Sequence, residues 1–138
     1  MGLLIDSTLL VEAERGGLSP EQLVAAVLER WEDVELAISA MSAGELFHGC
    51  WRADTPARRA RREEFVESLL ATVPVVPLGL EVMRVFGEVD AGLRAAGSRL
   101  PTSDLLVACT ALCRGDAVLT GNLRHFDRVP GLTVHRWS

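Results

Sequence analysis

Lysine is absent from this chain, so all 14 of its basic residues are arginine. Without lysine there is no ammonium for a phosphate-binding P-loop, no Schiff base and no lysine general base. Tyrosine is also missing and aromatic residues make up only 5% of the sequence, so the core has to be built from aliphatic side chains and alanine. The cysteines, Cys50, Cys109 and Cys113, are an odd number without a CxxC pair. That pattern provides neither a disulfide framework nor a zinc site, and it suits a reducing cytoplasm. Cys109 and Cys113, four positions apart in an apolar run, read as buried small hydrophobes. The most apolar stretch, LLATVPVVPLGL, is cut by Pro74 and Pro77 and is too short to cross a bilayer. No basic segment precedes the first apolar residues and Asp6 interrupts them, so no export signal is expected.

What is present fits one globular domain over residues 1–138, with 49% hydrophobic residues. A chain of this size buries roughly 70% of the surface that its unfolded form exposes. The net charge of -5 argues against a protein that holds nucleic acid mainly through its overall field.

Short aliphatic runs alternate with longer amphipathic ones. LLI (3–5) reads as a strand and STLLVEAERGG as the start of a helix closed by Gly16 and Gly17. SPEQLVAAVLERW begins with Ser19 as N-cap and Pro20 in the first helical position. ELAISA (35–40) is the next strand, followed by helices over 42–53 and 56–73. VPVVPL is a strand whose prolines suit a sheet edge. A helix ended by Gly97 follows, then another capped at Thr102 or Ser103, a strand at 117–120, a turn through NLRHFDRV, and a last strand in LTVHRW. Strands separated by helices imply a mainly parallel sheet covered on both faces, a three-layer α/β/α architecture.

Such sheets bind ligands beyond the carboxyl ends of their strands. Asp6 follows the first strand, Glu45 stands shortly after the second, and Thr120-Gly121-Asn122 follows the late one; Asp104 opens the helix before it. Each acid has a structural explanation. Asp6 sits where a helix cap would, Ser42-Ala-Gly-Glu45 fits a capping box, and Asp104 lies in a first turn, where the macrodipole favours anions. Three carboxylates at one mouth nevertheless repel one another, by several kcal/mol for a pair about 5 Å apart at an effective dielectric of ~20. A bridging cation or proton uptake relieves that repulsion. Oxygen ligands without histidine or cysteine favour Mg2+ or Mn2+ over zinc, and Mg2+ keeps waters of which one can attack a phosphodiester.

LLIDSTLLVE, SAMSAGELFHG, LPTSDLLVACTAL and AVLTGNLRHFDRV, in this order over nearly the whole chain, resemble the PIN-domain family, the VapC toxins of bacterial toxin–antitoxin pairs in particular. The resemblance implies a PIN-like fold and a Mg2+- or Mn2+-dependent ribonuclease. Its invariant acids match Asp6, Glu45 and Asp104, and the threonine of its late motif matches Thr120. It also implies a VapB-like antitoxin, an RNA substrate and a homodimer. Where many family members carry a fourth acid this chain has Asn122, whose amide holds water or a neighbouring carboxylate but binds a cation less well. Asp116 and Asp127 are nearby acids that could substitute, as a strand-entry turn and a solvated loop also explain them.

RADTPARRARREE is a basic stretch on an acidic chain. Arg58, Arg59, Arg61 and Arg62 suit RNA phosphates, or a solvated helix face paired with Glu63, Glu64 and Glu67. His125 reads as a surface residue, with an approach to the substrate phosphate as its alternative, and Trp31, Trp51 and Trp137 read as core or interface anchors more than as base-stacking platforms. Phosphoryl transfer of the receiver or haloacid-phosphatase type also uses an aspartate after the first strand, but it needs a lysine. The other alternative is a PIN-like scaffold or antitoxin-binding module whose acids serve only as helix caps.

Overall fold

A computed structural model describes residues 1–137. Five strands, β1 (Gly2–Ile5), β2 (Glu35–Ser39), β3 (Val75–Val76), β4 (Ala117–Thr120) and β5 (Val134–Arg136), form one sheet in the order β3-β2-β1-β4-β5. Every pairing is parallel. The expected mainly parallel sheet is therefore wholly parallel, and β3, the proline-flanked strand, lies at an edge as its missing amide donors require.

Alternation along β1 sorts its side chains to two cores. Leu3 and Ile5 join the layer of α1 (Ser7–Arg15), α2 (Pro20–Arg30), α3 (Ala40–Trp51) and α4 (Pro56–Thr72). Leu4 joins the layer of α5 (Leu80–Ala95), α6 (Thr102–Arg114) and the one-turn α7 (Leu123–Phe126). Both cores are aliphatic and alanine-rich, with Phe126 as the largest fully buried side chain. No helix among the described residues is long and apolar enough to cross a membrane.

Several local expectations shift. Ser19 caps α2 through the full reciprocal box with Gln22. The cap of α3 is Ser39, not Ser42: β2 runs straight into the helix, and the Ser39 hydroxyl accepts the Met41 amide at 3.1 Å. Ser42 is buried with Oγ unpartnered, so the Ser42–Glu45 box does not form. Helix α6 starts one residue earlier than a Thr102 or Ser103 cap would allow. Pro101 is its N-cap, with φ -56 set by its ring, and its carbonyl accepts the Leu105 amide. The stretch expected as a turn, NLRHF, closes α7 on the buried Phe126. Cys50 and Cys109 are buried as small hydrophobes, whereas Cys113 is exposed because the outer face of α6 turns to solvent.

A candidate metal-binding active site at the strand ends

The chain lays β2 and β3 to one side of β1 and β4 and β5 to the other, so the connections diverge at the carboxyl ends of β1 and β4. A crevice opens at such a reversal. Asp6 and Thr120 are the residues just past the paired ends Ile5 and Leu119, and the Asp6 amide donates to Leu119 O at 2.9 Å. Their side chains meet there.

Asp6 is only 1% exposed. Its Oδ2 accepts from Thr8 Oγ1 at 2.7 Å and from Thr120 Oγ1 at 2.9 Å. Burial raises its pKa above the ordinary 3.8; the two hydroxyls and the nearby Ser7 amide oppose the rise, and the charge of Asp104 adds to it. Although Asp6 occupies the N-cap position of α1, it makes no side-chain cap hydrogen bond.

Glu45 lies in the second turn of α3, because the helix begins at Ala40. Ser7 Oγ donates to its Oε1 at 3.1 Å, across 38 positions of sequence. Its pKa is also raised, first by burial, with the Ser7 bond opposing. The charges of Asp6 and Asp104 both add to the rise at Glu45. Asp104, in the first turn of α6, is bound through Oδ2 to His125 Nδ1 at 2.5 Å. Asn122 completes this side: its amide N–H donates to Thr120 Oγ1 at 2.8 Å and its side chain lies 3.0 Å from the His125 ring.

Each acid thus has one oxygen held by a side-chain donor, and among the described residues no side-chain donor holds the second oxygen of any of them. Among the described residues no three histidine, cysteine, aspartate or glutamate side chains stand close enough together to hold a metal ion as they are, so a cation here would be held by fewer direct ligands. A hard cation that keeps much of its water and takes one or two carboxylates directly fits that open, oxygen-only set better than zinc does. It would also offset the cost of burying the Asp6 charge.

The structure brings Asp6, Glu45, Asp104, Thr120 and Asn122 to one end of the sheet. Asp116 belongs to the opposite end. It precedes β4, pairs with Arg114 at 2.8 Å, and fills the space where a Cβ on Gly2 would lie. Asp127 is exposed at the end of α7. A different acid stands on the rim: Glu12 Oε1 lies 3.2 Å from where a Cβ on Gly121 would be.

Sequence reasoning missed Ser7 and Thr8 and set His125 aside as a surface residue. Thr8 had a signal, since a hydroxyl two residues after an aspartate readily reaches back to it. His125 stands three residues after Asn122, a spacing that faces one side of a helix once NLRHF is taken as helical. The Ser7–Glu45 bond left no trace in sequence.

The four arginines of α4 are unequally available. Arg58 pairs with Asp54, Arg59 pairs with Glu63 and lies 3.6 Å over the Trp51 ring, and Arg62 donates to Gly49 O. Arg61 is exposed and has no ion pair or hydrogen bond among the described residues. Trp51 is 70% exposed, whereas Trp31 and Trp137 pack against the core. A groove runs from Glu45 between α1, α2, α3 and α4, lined by five arginines and five glutamates, so it carries no net positive field.

Residues 3–132 match the family model of the PIN domain. The chain is 30% identical over 135 residues to ribonuclease VapC1 of Rickettsia felis, covering 97% of this chain and 95% of the relative. It is 28% identical over 102 residues to the tRNA(fMet)-specific endonuclease VapC of Salmonella typhimurium, covering 74% and 75%. Among solved structures, VapBC2 from Rickettsia felis bound to a promoter DNA fragment superposes with a TM-score of 0.87 at 20% identity, over 100% of both chains. That likeness is one of fold.

Proposed function

The chain belongs to the PIN-domain family, and from that premise we propose that it is the toxin of a toxin–antitoxin pair, a Mg2+- or Mn2+-dependent endoribonuclease. The whole of residues 1–138 acts as a single PIN domain, working in the cytoplasm as a homodimer. The observation that carries this reading is the set of three acids, each held by a side-chain donor at one oxygen only.

Asp6, Glu45 and Asp104 hold the cation. When bound, the cation supplies charge neutralisation at the scissile phosphate and an activated water. The residues of the chain arrange the rest. Thr8 and Thr120 fix the buried Asp6 carboxylate, Ser7 fixes Glu45, and Thr120 anchors the turn that carries Asn122. Asn122 orients water or a neighbouring carboxylate at the edge of the site. RNA phosphates meet the arginines of α4, with Arg61 the most available and Arg58, Arg59 and Arg62 partly committed to internal partners.

A VapB-like antitoxin occupies the groove beside the site. Equal numbers of arginine and glutamate with Leu18, Leu46 and Phe65 between them suit a folded peptide segment, and a basic side chain from it would fill the acidic mouth. The cap-only alternative loses its structural basis: Asp6 makes no cap hydrogen bond, Glu45 lies beyond the first turn, and Asp104 is bound to His125 instead of a helix amide.

The test is cleavage of total RNA by the purified protein, with 5′ ends mapped by sequencing, in Mg2+, in Mn2+ and in EDTA. Specific ends are expected with metal and none with EDTA or with Asp6→Asn. Equal cleavage by wild type and Asp6→Asn would exclude the metal nuclease. Co-expression with the product of a short neighbouring gene should yield a complex and restore growth.

A further inference from the structure

Helix α7 is a single turn, too short to be stable alone, and its place is set by the fully buried Phe126 beneath it. Fixing Phe126 turns the residue before it, His125, toward the site. The contact this creates with Asp104 is half-buried, the two side chains being 34% and 19% exposed. Nδ1 offers either one proton or one lone pair. The 2.5 Å contact with Asp104 Oδ2 is the one a proton bridges, and the Asn122 side chain lies 3.0 Å from the same ring nitrogen.

A carboxylate in the first turn of a helix ordinarily folds back on the helix amides, drawn by their unpaired N–H groups and by the macrodipole. Asp104 does not: among the described residues its carboxylate is hydrogen-bonded to His125 and to no helix amide. The competing donor that holds it away is His125, 21 positions along the chain. We propose that His125 is a positioning residue for the metal site, holding Asp104 by one oxygen so that the carboxylate is kept from capping α6 and presents its other oxygen to a cation. The proposal rests on the nuclease reading. It concerns the hydrogen bond and not any change of charge on the ring.

Partners of this kind, which orient a ligand without touching the metal, cost about 10–100-fold in metal affinity or activity when removed. Two substitutions separate the hydrogen bond from simple packing. His125→Phe keeps a ring and removes the donor. His125→Asn loses the ring, but its side-chain N–H stands close to where Nδ1 stood.

Mn2+ alone is titrated by calorimetry into the metal-free wild type and both variants, with melting curves in EDTA to establish that each is folded. The expected result is a Mn2+ dissociation constant about 10–100-fold weaker for His125→Phe and within a few-fold of wild type for His125→Asn, with RNA cleavage following the same order. His125→Ala serves the same comparison if the phenyl ring unfolds α7. Wild-type Mn2+ affinity in the donor-less variant overturns the proposal and leaves the nuclease reading intact, as does equal weakening in the donor-less and asparagine variants. A wild type that binds no Mn2+ overturns the nuclease reading and this assignment together.

Discussion

Thr120 Oγ1 donates to Asp6 Oδ2 at 2.9 Å, joining the ends of two neighbouring strands that are 114 positions apart in sequence. The same oxygen accepts the Asn122 amide at 2.8 Å, so one hydroxyl sets both the buried acid and the turn after β4. Thr120→Val keeps the shape and removes both bonds. A buried bond to a charged group contributes about 1.5–3 kcal/mol. Urea unfolding at pH 7 should show a loss of that order, with cleavage falling roughly 10–100-fold and Thr120→Ser restoring most of both. Unchanged stability and cleavage in the valine variant would show that the hydroxyl is idle.

Asp6 also makes the metal-free protein sensitive to pH. Its pKa is raised, mainly by burial, so folding favours its protonated form. That contribution is fully present below the unfolded value and is lost as pH rises through the folded one. At neutral pH the ionised carboxylate therefore costs stability, and Asp6→Asn removes the cost while its amide oxygen still accepts from Thr8 and Thr120. In EDTA at pH 7 the variant should melt above the wild type. The gap should shrink as pH falls toward 3.8, and a gap that widens on acidification would contradict the burial argument.

Metal should reverse that order. A ligand at a hundred times its dissociation constant stabilises the folded state by about 2.7 kcal/mol. Millimolar Mg2+ or Mn2+ should raise the melting temperature of the wild type clearly, and that of Asp6→Asn or Glu45→Gln much less. Glu45→Gln is the cleaner probe because Ser7 can still donate to the amide oxygen, whereas changing Asp104 also disturbs its bond to His125. Melting curves indifferent to metal in all three proteins would count against the site.

The α4 arginines should separate by their partners. Arg61→Ala should weaken RNA binding for every sequence alike and lower the salt slope by about one. Arg58→Ala should do less, because that guanidinium is already paired with Asp54. Filter binding across a salt series would compare them, and equal effects would mean that the internal pair opens on the RNA.

Much of this arrangement was legible in the residues. Alternation of strand and helix patterns gave the parallel sheet, the prolines around Val75 and Val76 gave its edge, and the positions of Asp6 and Thr120 at strand ends gave the place of the candidate site. These features are local or periodic, and period and position in the chain are what a sequence displays directly. Where local signals competed, the reading slipped. Ser42-Ala-Gly-Glu45 has the pattern of a capping box, yet Ser39 took the cap because β2 enters α3 without a loop, and that freed Glu45 for the mouth of the sheet.

The sequence by itself determined which chemistry is possible: oxygen ligands, no lysine, and acids that follow strand ends. Only the tertiary structure decided how those acids are held. Ser7 meets Glu45 across 38 positions, Thr120 meets Asp6 across 114, and His125 meets Asp104 across 21. Asp116, close to Thr120 in sequence, lies at the far end of the sheet beside Gly2. A strand of four residues carries the chain more than 10 Å from one end of the sheet to the other, so nearness in sequence gives no guide to which mouth a side chain serves. Hydrogen bonds between such distant residues depend on strand order and register, which are set when the two cores pack and not by any one segment.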